Sequence, residues 1–291
     1  MSRGYHYELL RKWGLPKSAD AVLFHSEECL SFITFPRDET ALSIGKSKLG
    51  GRPDLLPEIE WPRWHGKPLA FLAQLELASH ETGRSDLLPQ SGWLYFFDDP
   101  NQHTTGLDPT DKGSWRVIFS REPHEQRWQF PRESLVRREI PPDVPAFSRY
   151  NSCALHMFPT LSPEWLWAQR IREEMEDTQN TAGEEILRKL FPVPRHQILG
   201  HPMMEPGAAN EVRRSCELLS RGYALSQPLD KEMYESVWGK EARVWRPLLQ
   251  LDADARPGMV WRDRTRLSFW IPEDDLVLGN FDNVWMIADQ R

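Results

Sequence analysis

Gly45-Lys46-Ser47, within the run Ser43–Pro53 (SIGKSKLGGRP), reads like the tail of a phosphate-binding loop, with Gly50 and Gly51 close behind. Such a loop needs another glycine five residues before Gly45 and must run into a helix whose first amides face the phosphate. Thr40 holds the first position, and Gly50, Gly51 and Pro53 would break the helix almost at once. The glycines therefore predict a tight turn or a close backbone approach rather than a nucleotide cradle. Asp252, Asp254 and Asp263 have the spacing of a calcium loop, but Arg256 and Pro257 fill its fifth and sixth positions, and the sixth requires glycine. The nine histidines match no zinc-ligand spacing. No Gly-x-Ser-x-Gly elbow occurs, and Cys29, Cys153 and Cys216 form no C-x-x-C pair. The expectation is no catalytic residue, no metal and no cofactor.

Four polar residues remain as candidates for a ligand-binding cleft. Gln74 sits in Leu72–Glu76 (LAQLE) and Gln250 in Leu248–Asp252 (LLQLD), each a polar amide among apolar strand neighbours. Burying such a group without hydrogen bonds costs about 1–3 kcal/mol. Either each amide satisfies nearby backbone, or the two line a quasi-symmetric cleft. His196 and His201, at the two ends of a predicted strand-to-loop edge, are candidates for a base or ligand pair in that cleft. Glu273-Asp274-Asp275 reads as the acidic first turn of a helix, or as a contact for a basic partner, with Asp98-Asp99 as its counterpart.

The elements that would carry these residues are marked by their punctuation. A short helix is predicted around Tyr5–Trp13, stopped by Gly14 and Pro16. Strands are predicted at 21–26, 29–35, 68–77, 92–99 and 114–120, and again at 245–254, 265–271 and 283–289. The stretch Pro141–Pro159 is dotted with prolines and reads as a separator. A helical block follows, opening at Ser162-Pro163-Glu164, with a capping box at Thr181–Glu184. Further helices are expected near 208–222 and 230–239, the second capped by Asp230.

A repeat runs through these strands. Leu49–Pro53 (LGGRP) resembles Leu199–Pro202 (LGHP), and a glutamine strand, an aromatic strand and a tryptophan strand follow each in order. Gln74 precedes Phe96 by 22 residues and Gln250 precedes Phe269 by 19, so loops of slightly different length account for the offsets. The second copy carries an insertion of about 27 residues, near 208–239. The fold class expected is α+β, with internally duplicated, largely antiparallel sheets, flanking helices and a helical insert in the second repeat. Residues 1–150 would form the first repeat and 151–291 the helical block with the second, packed as one unit.

The series SKLGGRPDLLPEIEWP, GKPLAFLAQLEL, LLPQSGWLYFF, HQILGHP, LLQLDAD and FWIPEDDLVLGNFDNVWMI resembles the bacterial YwqG-like family, a domain of unknown function. The resemblance covers about Ser43 to Asp289 and implies an α+β fold with a duplicated antiparallel sheet. It supplies no catalytic residues to carry over, and it implies a role in immunity or protein interaction. His201 and the helical insert depart from the family pattern.

Composition narrows the function classes. Thirty-six basic against 43 acidic residues leave a net charge of −7, which argues against nucleic-acid binding and suits a basic protein partner. Scattered cysteines fit a reducing cytoplasm, and neither a signal peptide nor a membrane span is read in the sequence. The expected function is a non-enzymatic cytoplasmic binding protein, in its sharpest form an immunity protein that occludes a basic toxin domain. The alternative is an enzyme or small-ligand binder using the cleft between repeats. Specificity for a partner is assigned to the insert, through Tyr223, Tyr234 and Trp238, with Glu273, Asp274 and Asp275 as an acidic contact.

Overall fold

The apolar runs become neighbours in one sheet. The computed structural model describes residues 23–77, 87–120, 134–164, 194–239, 242–261 and 264–290, together with Glu8 and Asp20. Ten antiparallel strands form a curled half-barrel: β1 (Ser26–Pro36), β2 (Lys48–Leu49), β3 (Ala70–Glu76), β4 (Trp93–Asp98), β5 (Arg116–Ser120), β6 (Cys153–Pro163), β7 (His196–Ile198), β8 (Trp245–Asp252), β9 (Arg264–Pro272) and β10 (Trp285–Gln290). Three helices accompany them, α1 (Pro206–Ser220), α2 (Lys231–Trp238) and α3 (Glu273–Leu278), of which α1 is long. The protein is thus mostly β rather than an even α+β mixture. The predicted helix at 5–13 and the capping box at 181–184 lie outside the described residues, Glu8 apart.

The strand order is β10-β9-β8-β7-β1-β6-β2-β3-β4-β5. The long strands β1 and β6 pair over eleven residues at the centre, from Ser26 opposite Pro163 to Pro36 opposite Cys153. Each flank begins with a short strand and continues as a three-strand meander. The flanks are crossed: β2 pairs with β6, while β7 pairs with β1.

Three local expectations need correction. The stretch read as a separator contains the first part of β6, Cys153 to Pro159, and β6 pairs with β1 along its whole length. Its prolines are tolerated because β2 covers only Cys153 and Ala154, so Pro159 lies where the outer edge carries no ladder of the main sheet. Ser162 and Pro163 end this strand rather than opening a helix. At the same end of the pair, Leu23 and Phe24 are helical and β1 starts only at Ser26.

Burial explains why strict alternation is missing from β3 and β4, whose residues are all buried. One face, with Leu72, Leu94 and Phe96, joins the main core. The other, with Phe71, Trp93, Tyr95 and Phe97, is covered by a small ribbon that pairs Asp54–Leu55 with Val136–Arg137. On the opposite flank α1 supplies Cys216 and Leu219 to the main core. The flanks also meet each other. Trp115 and Trp285 pack edge to face at 4.8 Å, and Phe96 and Phe269 do so at 5.2 Å. The Trp115 indole donates to the Val284 carbonyl, and Trp285 donates to that of Gly106.

The chain around Gly106 runs directly against β10. Ala288 N–H donates to the Thr105 carbonyl, which covers part of an edge that would otherwise be open to another strand. Gly106 has φ +75°, and a Cβ there would lie 1.7 Å from the Met286 carbonyl oxygen. Gly66 has a similar φ of +77° but open space around it. Gly66→Ala should therefore cost about 1 kcal/mol from backbone strain alone. Gly106→Ala should cost at least about 2 kcal/mol more, because backbone must move. Urea unfolding midpoints of the two variants test the difference.

Candidate functional site

Gln74 and Gln250 are fully buried, and each holds the turn beside its own strand. Gln74 Oε1 accepts from Asp54 N–H at 2.7 Å, and its amide nitrogen donates to the Lys46 carbonyl at 3.0 Å. Gln250 Oε1 accepts from Met203 N–H at 3.0 Å. The strand partner of Gln74 is Lys48 and that of Gln250 is Gln197. Counting from those partners aligns Leu49 with Ile198, Gly50 with Leu199, Gly51 with Gly200 and Asp54 with Met203. The backbone agrees, with φ of +61° and +68° at Gly50 and Gly51, and +58° and +76° at Leu199 and Gly200. Gly50 N–H donates to Leu72 O, and Leu199 N–H to Leu248 O. The match of Leu49 with Leu199 in the sequence is therefore one residue out of register, while that of Pro53 with Pro202 is in register. A leucine stands in the left-handed region where the first turn has glycine, a conformation that costs an L-residue roughly 1–2 kcal/mol.

The first turn encloses a buried ionic cluster that sequence reading missed. Asp54 receives Gly45 N–H, the Gln74 amide, Arg137 Nε at 2.8 Å and Lys48 Nζ at 3.2 Å. Lys48 also reaches Glu39 at 3.1 Å. Burial raises the Asp54 carboxyl, but its cationic and hydrogen-bond partners outweigh that and hold it below the usual range. The Gly45–Ser47 segment is occupied within the fold, since the Gly45 carbonyl accepts from the Trp93 indole and Ser47 Oγ from Glu76 N–H.

His196 and His201 sit with Gln250 at the second turn, apart from Gln74. His196 is buried, stacks on Phe32 at 5.1 Å, and places Nε2 3.2 Å from Asp254 Oδ2. Asp254 also accepts from Thr34 Oγ1 and from Arg256, which together with His196 hold its carboxyl well below the usual range despite burial. His201 is half-buried, and its carbonyl accepts from Gln197 and Ser162. Gln74 and Gln250 share no hydrogen-bond partner among the described residues. Among the described residues, no group of three or more His, Cys, Asp or Glu side chains is disposed to hold a metal. Asp252 and Asp254 are engaged by arginines.

The insert forms α1 and α2. Asp230 caps α2 as expected, accepting from Met233 N–H. Glu217 is the fastener of α1: buried, it accepts from the Trp245 indole at 2.7 Å and from Arg243 and Arg221. No spacing in the sequence marks that role. Tyr223 packs against the small cluster of Leu218, Met233 and Val237. Tyr234 and Trp238 are 54% and 40% exposed, stacked on each other at 4.8 Å, with the Arg214 guanidinium 5.6 Å over the Trp238 ring. Glu273, Asp274 and Asp275 do open a helix. Glu273 is tied to Arg246, and Asp275 to Asn280 and Asn283, while Asp274 faces solvent. Their supposed counterparts are different in kind, since Asp98 and Asp99 are buried. Asp98 pairs with buried Arg264 at 2.8 Å between the flanks.

Compared with known proteins, residues 47–289 match a family described as a domain of unknown function, DUF1963. None of the curated proteins matches the chain.

The two glutamines differ in what they hold. Gln74→Leu removes three hydrogen bonds and leaves the Asp54 amide buried, so it should cost about 1–3 kcal/mol; Gln250→Leu, with one such bond, should cost less in the same unfolding assay. Burial pushes the Asp98 carboxyl up to about 6, against the pull of Arg264. A carboxyl raised in the folded state contributes stability that is complete below its unfolded pKa near 3.8 and is lost as pH rises through about 6. Asp98→Asn should therefore gain on the wild type between pH 4 and pH 7, as followed by paired denaturant titrations.

Proposed function

We propose that this protein, which belongs to the DUF1963 family, is a non-enzymatic binding protein whose partner is another protein. We read the chain as YwqG-like within that family, on the motif series quoted above. We also read its two flanks as products of an internal duplication. Support for that comes from the strand order, the matched turns and the meeting of Phe96 with Phe269 and of Trp115 with Trp285.

The observation that carries the binding reading is the stacked pair Tyr234–Trp238. Most tryptophans of the described chain are packed inside, including Trp245, Trp261, Trp270 and Trp285. Trp238 is instead presented on a helix that rests on α1, and its own rotamer is restrained by Tyr234 and Arg214. Rigid, amphipathic aromatics beside arginine are the side chains that most often dominate protein interfaces, because they bury much area for little lost rotamer entropy. Gln74, Gln250 and His196 meanwhile hydrogen-bond to turn backbone or to Asp254.

The partner is a basic protein domain. A net charge of −7 speeds its approach, and this steering fades with salt because the Debye length is about 8 Å at physiological ionic strength. An immunity protein covering a toxin's basic cleft is the sharpest form of this reading. The test is to capture partners from the native host, then to rebuild the complex from purified components. A stoichiometric complex is expected, weakened at least about 30-fold by Tyr234→Ala with Trp238→Ala, the effect of losing one strong hot spot. A folded double variant that binds as tightly as the wild type excludes this surface. Failure to recover any stoichiometric partner counts against the binding reading itself.

A further inference from the structure

A surface cavity of about 620 Å³ lies where one end of the central strand pair meets the Gly51–Arg52 turn and the hairpin that carries Arg256. Neither α1 nor α2 borders it. Its volume is within the roughly 300–1,000 Å³ of small-ligand sites. Pro36, Ile140 and Tyr150 give it an apolar wall, and Arg37, Arg52 and Arg256 face it with Asp38 and Glu39.

The acids are engaged in part, Asp38 through one oxygen and Glu39 through both. Asp38 accepts from Thr40 N–H at 2.8 Å and from its hydroxyl at 2.7 Å. Glu39 takes Lys48 Nζ on one oxygen and Arg52 N–H on the other. The donors are less committed. Arg256 is fixed by Asp254 and the Thr34 carbonyl through Nε and Nη1, which sets its guanidinium in the wall. Arg52 pairs with Glu139, whose side chain is 81% exposed, and such a pair is readily exchanged. Arg37 is exposed and makes no side-chain hydrogen bond or ion pair among the described residues. The wall therefore sets three guanidinium groups against two carboxylates, beside the apolar parts of Pro36, Ile140 and Tyr150.

We infer that this cavity binds a small organic anion, a carboxylate or phosphate attached to an apolar body, with Arg37 and Arg52 taking the anionic group and Tyr150 and Ile140 the body. The anion would supply acceptors to the Arg37 and Arg52 guanidinium groups, which suit both head groups because their paired N–H donors match two oxygens. The site is distinct from the α1–α2 surface, so the two readings stand or fall separately.

Phenyl phosphate and benzoate, with benzylamine as the cationic control, test the inference by calorimetric titration of the full chain. At least one of the two anions should bind saturably at one per chain, and benzylamine should not. Arg37→Ala should weaken that binding at least about tenfold, as loss of a charged hydrogen bond does, with Arg37→Lys intermediate. Because the Arg37 side chain makes no hydrogen bond or ion pair among the described residues, and its backbone N–H to Ser152 O is kept in any variant, its variants should unfold at the wild-type denaturant midpoint. Arg116→Ala, which removes an exposed pair with Asp282 elsewhere on the surface, should change nothing. Preference between the two anions identifies the head group. Absence of saturable binding by either anion at up to about 10 mM overturns the proposal. So does an affinity unchanged in a folded Arg37→Ala, Arg52→Ala double variant, or binding of benzylamine as tight as that of the anions.

Discussion

The contact between the inner faces of the two flanks is what closes the sheet on itself. A ten-stranded antiparallel sheet has one long concave face, and that face must be buried. Here the sheet's own aromatic residues meet, Phe96 against Phe269 and Trp115 against Trp285. Each aromatic pair adds about 0.5–1.5 kcal/mol beyond the area it buries. The indole N–H groups reach backbone carbonyls on the opposite flank, so these large rings carry no orphaned donor into the seam. The loop through Gly106 then lies along β10 so closely that no side chain fits between them.

That closure sets the demands on the centre. β1 and β6 form the spine, and the flanks cross over it, so neither half of the chain completes the sheet alone. Crossing requires a sharp turn after each short strand. Each is built from two successive left-handed residues and held from inside by a glutamine. Such a side chain makes sense only in a buried strand next to backbone that has left the ladder. An apolar residue there would fill the space but leave an amide unpaired.

Polar groups inside this protein therefore hold pieces of backbone together, and the surfaces left over are the ones free for recognition. Glu217 fastens α1 to β8, Asp54 gathers the loops before β3, and Asp254 ties the hairpin to β1. What they leave outside is a stacked aromatic pair on the helices and a cavity where three arginines face two carboxylates. These lie on different parts of the fold, and each has a chemistry of its own.

Much of the strand inventory was legible in the chain itself, because strands such as Ala70–Glu76, Trp93–Asp98 and Trp285–Gln290 are short apolar runs bounded by turn residues. So were the parallel placing of Gln74 and Gln250 and the cap at Asp230, which depend on local spacing. The strand Cys153–Pro163 was hidden, because its prolines argue against a strand unless one knows that most of its outer edge lies beyond β2. The one-residue misalignment of the second turn came from matching Leu49 with Leu199, when backbone geometry pairs Leu199 with Gly50. Sequence alone thus determined most of the strands of the two flanks and which side chains are polar among apolar neighbours. Tertiary structure decided that the glutamines face turns instead of a shared cleft, that Tyr223 packs while Tyr234 and Trp238 stand out, and that Arg37, Arg52 and Arg256 converge. Local order in a chain fixes hydrogen-bonding periodicity, but burial and the meeting of distant charges depend on how a sheet curls.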